Sequence, residues 1–373
     1  MVILQRVAAR RAVACQRLTW VVVWLAFWSV DVRLSAQNLT GSLGVHDPSS
    51  IHAVDGRYYL FYTGNRVRAK VSDDLARWSE GPRVFSAPPS WVATSVPNNA
   101  NGNFWAPDVA YFNGRYHLYY SVSTFGSQDS AIGLATNPTL NPDAANYAWT
   151  DHGPVIESNP GSPYNTIDPS IIQTSAGEIW MSFGSYWNGI YMTRIDPLTG
   201  KLVARGNSTV RIASTSAIEA PYIHERDGYL YLFVNWGSCC QGVNSTYNIR
   251  VGRSTSVSGP YVDRNGVNLV TGGGTLFLGT EGDFIGPGHF SILSAQGDEW
   301  FSYHYYNGAA NGASRLNLRG VRWTADGWPE AGPAFPVPEP AGAGMAIVGC
   351  ACLAYGRTCR SSRRRGDSHA GAG

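Results

Sequence analysis

Five side chains stand out because each opens a similar phrase of sequence: Asp47, Asp108, Asp168, Glu219 and His289. The phrases read DPSSIHAVDGRYYLFYTG from Asp47, APDVAYFNGRYHLYYSVS from Ala106, DPSIIQTSAGEIWMSFGS from Asp168, SAIEAPYIHERDGYLYLFVNW from Ser216 and GPGHFSILSAQGDEWFSYHYY from Gly286. Each sets a polar residue beside proline or glycine, then a short apolar run, a glycine-containing turn, and a run alternating aromatic with aliphatic residues. Carboxyl groups can do two complementary jobs. One, kept protonated, gives a proton to a leaving oxygen, and another, ionised, activates water or attacks directly. A single Asp-Pro is usually a turn or the start of a strand. Recurrence at five repeat heads, spaced 51 to 70 residues apart, sets these residues apart from that background.

The elements that must position them follow from the same phrases. A short apolar run, a turn such as Asp227-Gly228 and a second period-2 run make a β-hairpin. Further strand-like segments follow at Ala131 to Thr136, Ile190 to Asp196 and Asn248 to Ser254. A repeat of several tens of residues, each carrying a hairpin and one or two more strands, is the pattern of a β-propeller. The sequence therefore predicts an all-β, five-bladed β-propeller of four-stranded blades over residues 37–333. The first strand of each blade lies innermost, so the five heads are expected to converge on the central channel. Charges of one sign brought that close need hydrogen bonds, ions or shifted protonation to coexist.

The flanking segments have other characters. In residues 1–36, Arg6, Arg10, Arg11 and Arg17 precede the apolar run Leu18 to Val30, and Leu34-Ser35-Ala36 offers a small-residue cleavage site. That is the order of a secretory signal peptide, and the run is shorter than the roughly 20 residues of a spanning helix. Residues 334–373 contain Val337-Pro338-Glu339-Pro340, the small and apolar run Ala341 to Tyr355, and Arg357, Arg360, Arg363, Arg364 and Arg365. Only 14% of residues are charged while 12% are aromatic, so the chain is polar through Asn, Ser, Thr, Gly and Tyr, a surface suited to neutral, hydroxyl-rich ligands. A net charge of +2, carried largely by the terminal segments, gives no reason to expect nucleic acid. Of six cysteines only Cys239 and Cys240 lie in the repeat region. They do not offer the four ligands of a zinc site, and either a vicinal disulfide or two free thiols fits the sequence.

Two resemblances sharpen this reading. HDPSS at His46, FWAPDV at Phe104, NTIDPS at Asn165, GSYWNGIY at Gly184, IEAPYI at Ile218, the run from Trp236 to Ser254 and GPGH at Gly286 resemble glycoside hydrolase family 43. Within it, the combination is similar to endo-α-1,5-L-arabinanases. The resemblance implies an inverting hydrolase of arabinan with Asp47 as general base, Glu219 as general acid and Asp168 as the carboxylate that orients the acid and modulates its pKa. It implies substrate contacts at Asp47, Trp105, Gly126, Asn165, Thr166, Ile167, Asp168, Ser185, Tyr186 and Trp187. It implies one hydrated calcium ion in the channel at His289, whose alternative is a histidine hydrogen-bonded without metal. Asp108 has no catalytic counterpart and is expected to bond structurally. Phe290 stands where the family has a polar residue, and Tyr186-Trp187 where it has Phe-Trp. An exo-acting arabinofuranosidase or xylosidase on the same scaffold, or a silent sugar-binding propeller, are the alternatives. The tail resembles a PEP-CTERM sorting signal, which implies export to the periplasm, cell surface or medium and a transient membrane association. A monomer is expected.

Overall fold

The computed structural model describes residues 38–99, 101–204, 208–295 and 297–335. The leader and the tail beyond Phe335 lie outside the described residues. Among the described residues no helix is long and apolar enough to cross a membrane.

Five sheets, antiparallel but for one two-residue strand, follow one another along the chain as five blades. Blade 3 has the order Ser170–Gln173, Ile179–Phe183, Ile190–Ile195, Val210–Ala213 from first strand to last, and blade 4 the order Ile218–Arg226, Tyr229–Trp236, Asn248–Ser254, Thr275–Leu278. Blade 5 runs Phe284–Ala295, Asp298–Asn307, Ala313–Trp323, Pro329–Ala334. These are four-stranded, as the repeats predict. Blades 1 and 2 each have a fifth strand, of two residues. In blade 1 it is Thr40–Gly41, which pairs in parallel with Arg77–Glu80, outside His52–Val54, Arg57–Tyr62 and Arg68–Ser72. In blade 2 it is Gly64–Asn65, which pairs with the start of Asn103–Phe112, ahead of Arg115–Val122, Ser130–Asn137 and Thr150–Ser158. Strands of two residues are too short to carry a period. The first of them depends on glycine: Gly41 has φ +83°, and a Cβ there would meet the Trp78 carbonyl oxygen. The last blade also runs to Phe335, past the expected boundary at 333, because the Phe335 N–H donates to the Leu318 carbonyl and its ring packs on Trp300.

The hairpin turns Asp55-Gly56, Asn113-Gly114 and Asp227-Gly228 have positive φ at both central residues, the geometry that matches the twist of paired strands. The second strands, such as Tyr229–Trp236, and the third, such as Ser130–Asn137, are buried on both faces. Each blade is covered by a neighbour on either side, which is why these strands read as continuous apolar runs. The core accordingly lies between blades. Tyr59, Phe61, Leu118 and Tyr120 pack blade 1 on blade 2. Phe112, Tyr119, Met181 and Phe183 pack blade 2 on blade 3, Met192, Ile223 and Leu232 blade 3 on blade 4, and Phe233, Phe290 and Phe301 blade 4 on blade 5. Phe290, the departure noted in the sequence, stacks on Phe233 at 3.9 Å.

Polar groups join the first strands nearer the axis. Asp108, 4% exposed, accepts the Ser50 N–H at 3.1 Å and the Ile171 N–H at 2.9 Å, so one carboxylate of blade 2 holds blades 1 and 3. This is the structural bonding expected of it, and losing it would leave two part-buried N–H groups unpaired, at up to about 1–3 kcal/mol each. Blade 5 closes onto blade 1 through the Leu316 N–H to the Leu43 carbonyl at 2.8 Å and the Ser291 hydroxyl to the Ser49 carbonyl at 3.2 Å.

Candidate active site

Proline organises the backbone under the five heads. Asp47, Ala106, Asp168, Ala220 and Gly286 each precede a proline, and each has φ between 41° and 56°. A residue before proline ordinarily takes an extended conformation, and a left-handed one is unusual for residues other than glycine. In blades 2, 4 and 5 the strand register breaks at this step, as a bulge that re-aims the neighbouring side chains. The step also corrects the sequence reading, because the heads are not equivalent positions. Asp47 and Asp168 occupy the left-handed position, Glu219 precedes it by one residue, Asp108 follows it by two and His289 by three. The sequence phrases align a polar residue beside proline or glycine, whereas the backbone repeat is the proline step itself. The result is that Asp47, Asp168 and Glu219 line one cleft while Asp108 and His289 do not.

That cleft has a volume of about 920 Å³. It reaches from the turn at Phe125 and Gly126 in blade 2 to Gly312 and Ser314 in blade 5. Of the expected substrate contacts, Asp47, Trp105, Gly126, Asn165, Ile167, Asp168, Ser185, Tyr186 and Trp187 line it. Thr166 does not: it is fully buried, donating to the Ser130 carbonyl and paired with the Ser158 hydroxyl. Alternation along the chain turns it into the core, while Asn165 and Ile167, themselves largely buried, reach the cleft wall. Among the aromatics that line the cleft, Trp187 at 37% exposure and Phe125 at 83% present the most area. Sequence reasoning missed Phe125, which carries no repeat signal.

Asp47 is held by four groups. It accepts the Thr63 hydroxyl at 2.6 Å and pairs with His46 Nδ1 at 2.8 Å, while its own N–H donates to His304 Nδ1 at 3.1 Å. His289 Nδ1 stands 3.6 Å from its Oδ1. Burial works against its charge, but His46 first, then His289 and His304, outweigh burial and hold Asp47 well below the usual carboxylate range. Glu219 is the opposite case. Burial pushes it up to about 7, the Ser185 hydroxyl at 2.6 Å pulls it partly back, and the charge of Asp47 adds to the rise. Asp168 accepts the Ala220 N–H at 3.1 Å, and its own N–H donates to the Ser121 hydroxyl at 2.9 Å. Burial, then Glu219, then Asp47 push it well above the ordinary value. Asp168 and Glu219 thus form a buried pair in which ionising either one opposes ionising the other. One ionised carboxylate faces a protonated one, which is the equipment for acid/base chemistry across a bond placed between them.

Burial lowers the His289 pKa, and the residue's backbone N–H donates to Asn235 Oδ1 at 2.9 Å. Among the described residues, the groups of three close enough to share an ion are His46 with Cys239 and Cys240, and His46 with Asp47 and His304. His289 is in neither. A calcium ion there would draw one nitrogen from the protein and its oxygens from water, which agrees only with a hydrated ion. Cys239 and Cys240 are joined in a vicinal disulfide that lines the cleft, which decides between the two states the sequence left open.

The comparisons with known proteins agree with this geometry. The pattern of glycosyl hydrolases family 43 matches residues 37–329. The chain belongs to glycoside hydrolase family 43. It is 38% identical over 323 residues to the extracellular exo-α-(1→5)-L-arabinofuranosidase of Cellvibrio japonicus, covering 82% of this chain and 92% of that one. It is 37% identical over 309 residues to the extracellular endo-α-(1→5)-L-arabinanase 1 of Bacillus subtilis, covering 82% and 90%. The structure of the Cellvibrio cellulosa α-L-arabinanase complexed with arabinohexaose superposes with a TM-score of 0.75 at 37% identity, covering 78% of this chain and 95% of that one.

The Ser185 hydroxyl favours the ionised form of Glu219, so Ser185→Ala should raise the Glu219 pKa above about 7. Carboxyl carbon-13 NMR of glutamate-labelled protein reads the shift, and a fall instead would contradict the assigned bond.

Proposed function

We propose that this family 43 hydrolase cleaves internal α-1,5-arabinofuranosyl linkages of arabinan with inversion at the anomeric carbon. The observation that carries the reading is the meeting of Asp47, Asp168 and Glu219, from three blades, in one cleft where their protonation is driven apart. The similarity to arabinanases over about four fifths of the chain supplies the substrate class.

Asp47, ionised and fixed by His46 and Thr63, is the general base: it takes a proton from water as the water oxygen attacks the anomeric carbon. Glu219, protonated near neutrality, gives its proton to the glycosidic oxygen as that bond breaks. Attack on the face opposite the leaving group inverts the configuration. Asp168 orients the segment carrying Glu219 through the Ala220 N–H and, as one half of a coupled buried pair, modulates the acid's pKa. Trp105 and Trp187 supply faces for the pentose rings, and Asn165, Ile167, Ser185, Tyr186 and Gly126 shape the cleft between them. Because Glu219 must carry a proton, the rate falls as pH rises through about 7. Asp47 stays ionised far below that, so the base remains competent on the acid side.

A second reading, exo action on the same bond, is favoured by the 38% identity to the Cellvibrio exo-acting enzyme. Digestion of linear arabinan, with xylan in parallel, separates the two. Internal cleavage releases a ladder of oligosaccharides from the first minutes, and Glu219→Gln should reduce it by about two to four orders of magnitude in a folded protein. A single product size throughout would establish exo action, and an active Glu219→Gln would remove that residue from the acid role.

We further propose a hydrated calcium ion with His289 as its protein ligand. When bound, the ion supplies positive charge that favours ionised carboxylates nearby. Chelation should lower the melting temperature and activity, with calcium restoring both. A metal-free protein by elemental analysis that ignores chelator would leave His289 as a hydrogen-bonded channel residue.

Export through residues 1–36 is proposed for this chain too, supported by relatives named as extracellular. Beyond Phe335 the proposal is a sorting tail with transient membrane association on a monomeric enzyme. A chain ending at Phe335 should fold and hydrolyse arabinan normally but vanish from the membrane fraction of its host. Loss of folding in that chain would make the tail part of the domain.

A further inference from the structure

The vicinal disulfide sits in the loop after Trp236, between the second and third strands of blade 4, far in sequence from Asp47. In space a continuous line of hydrogen bonds joins them. The Cys240 N–H donates to the Tyr306 hydroxyl oxygen at 2.7 Å, and that hydroxyl lies 2.8 Å from His46 Nε2. His46 Nδ1 in turn lies 2.8 Å from Asp47 Oδ2. Burial opposes charge on His46, but the Asp47 carboxylate outweighs it and raises the ring's pKa. With His46 protonated, Nδ1–H donates to the carboxylate and Nε2–H to the Tyr306 hydroxyl oxygen, which also accepts the Cys240 N–H. The His46 ring is also clamped by stacking on His304, 4.1 Å between centroids, and Cys240 Sγ is 3.8 Å from His46 Nε2. The line therefore starts in blade 4, passes through Tyr306 on the second strand of blade 5 and ends at the head of blade 1.

The loop that begins this line is itself pinned. Ser238 N–H bonds to Thr246 Oγ1 and Thr246 N–H to the Ser238 carbonyl, both at 3.0 Å, and Gln241 N–H bonds to Ser245 Oγ at 3.0 Å. Its far side packs backbone against backbone on Gly312, where a Cβ would come within 2.5 Å of Val243 N. Cys240 takes φ +67°, a conformation unusual for a residue other than glycine. A covalent link to the adjacent side chain limits the conformations available to that pair, so the direction of the Cys240 N–H does not depend on the hydrogen bonds alone.

We propose that Cys239–Cys240, Tyr306 and His46 form a positioning relay that fixes the orientation of Asp47, so that the disulfide acts on the water-activating step and is more than a wall of the cleft. The proposal rests on reading Asp47 as the general base. None of the three groups needs to exchange a proton with substrate; their role is to leave Asp47 one geometry. A misplaced base loses turnover while substrate still binds, which distinguishes positioning from a part in forming the cleft.

The test uses purified full-length protein and linear arabinan oligosaccharides. In Tyr306→Phe the loss of one hydrogen bond of the relay should lower kcat about tenfold with KM within about twofold. Dithiothreitol treatment of the wild type, followed until two thiols titrate, should lower kcat severalfold with KM held. In Tyr306→Phe the same reduction should cost nothing further, because groups in one network do not add. The variant Cys239→Ala/Cys240→Ala, checked for folding by circular dichroism, should match the reduced wild type. Wild-type kcat in Tyr306→Phe, a loss confined to KM, or an equal penalty for reduction in both proteins would overturn the relay. Asp47→Asn serves as the separate control: if it stays active, the reading of Asp47 as base fails, whereas if it is dead and Tyr306→Phe is normal, only the relay fails.

Discussion

The structure depends on keeping three carboxyl groups together at the end of a buried channel. Asp47, Asp168 and Glu219 each lose hydration there, and the charge of Asp47 opposes ionisation of the other two. The protein resolves the conflict unequally. Asp47 receives a hydroxyl and an imidazole on its oxygens and two more imidazoles nearby, so it stays charged. Asp168 and Glu219 receive one donor each and rise together. Division of labour between an ionised base and a protonated acid follows from that difference in partners, with no need for different residue types.

The partners come from places that only closure of the ring brings together. His46 and Asp47 stand at the seam where the last blade meets the first, and His304 and Tyr306 cross it from blade 5. The contacts that close the propeller are thus neighbours of those that fix the base. His304 shows the cost of this density: its Nδ1 accepts the Asp47 N–H, and its fully buried Nε2 has no partner among the described residues.

Much of this was legible in the sequence because the fold repeats. Five hairpins with period-2 strands and glycine-containing turns, three of them Asp-Gly or Asn-Gly, predicted the blades, and the recurring heads pointed to Asp47, Asp168 and Glu219. The rest is lost for physical reasons. Reading the heads as equivalent followed a polar residue beside proline or glycine, while the backbone repeats a left-handed residue before proline, so Asp108 and His289 fall outside the cleft. Thr166 shares a motif with Asn165 and Ile167 but points the other way. His46, Tyr306 and His304 act through contacts between chain segments about 260 residues apart, which no local pattern announces. The two adjacent cysteines fitted either oxidation state until the loop around them was seen.

The central claim is that the charge of Glu219 helps to keep the proton on Asp168, beyond the effect of burial. It is tested most directly by titrating the Asp168 carboxyl, by carbon-13 NMR of aspartate-labelled protein, in the wild type and in Glu219→Gln. The account predicts that the variant, lacking the neighbouring charge, titrates Asp168 clearly below the wild type. An Asp168 that titrates unchanged in Glu219→Gln would mean that burial alone sets it, and would contradict the account.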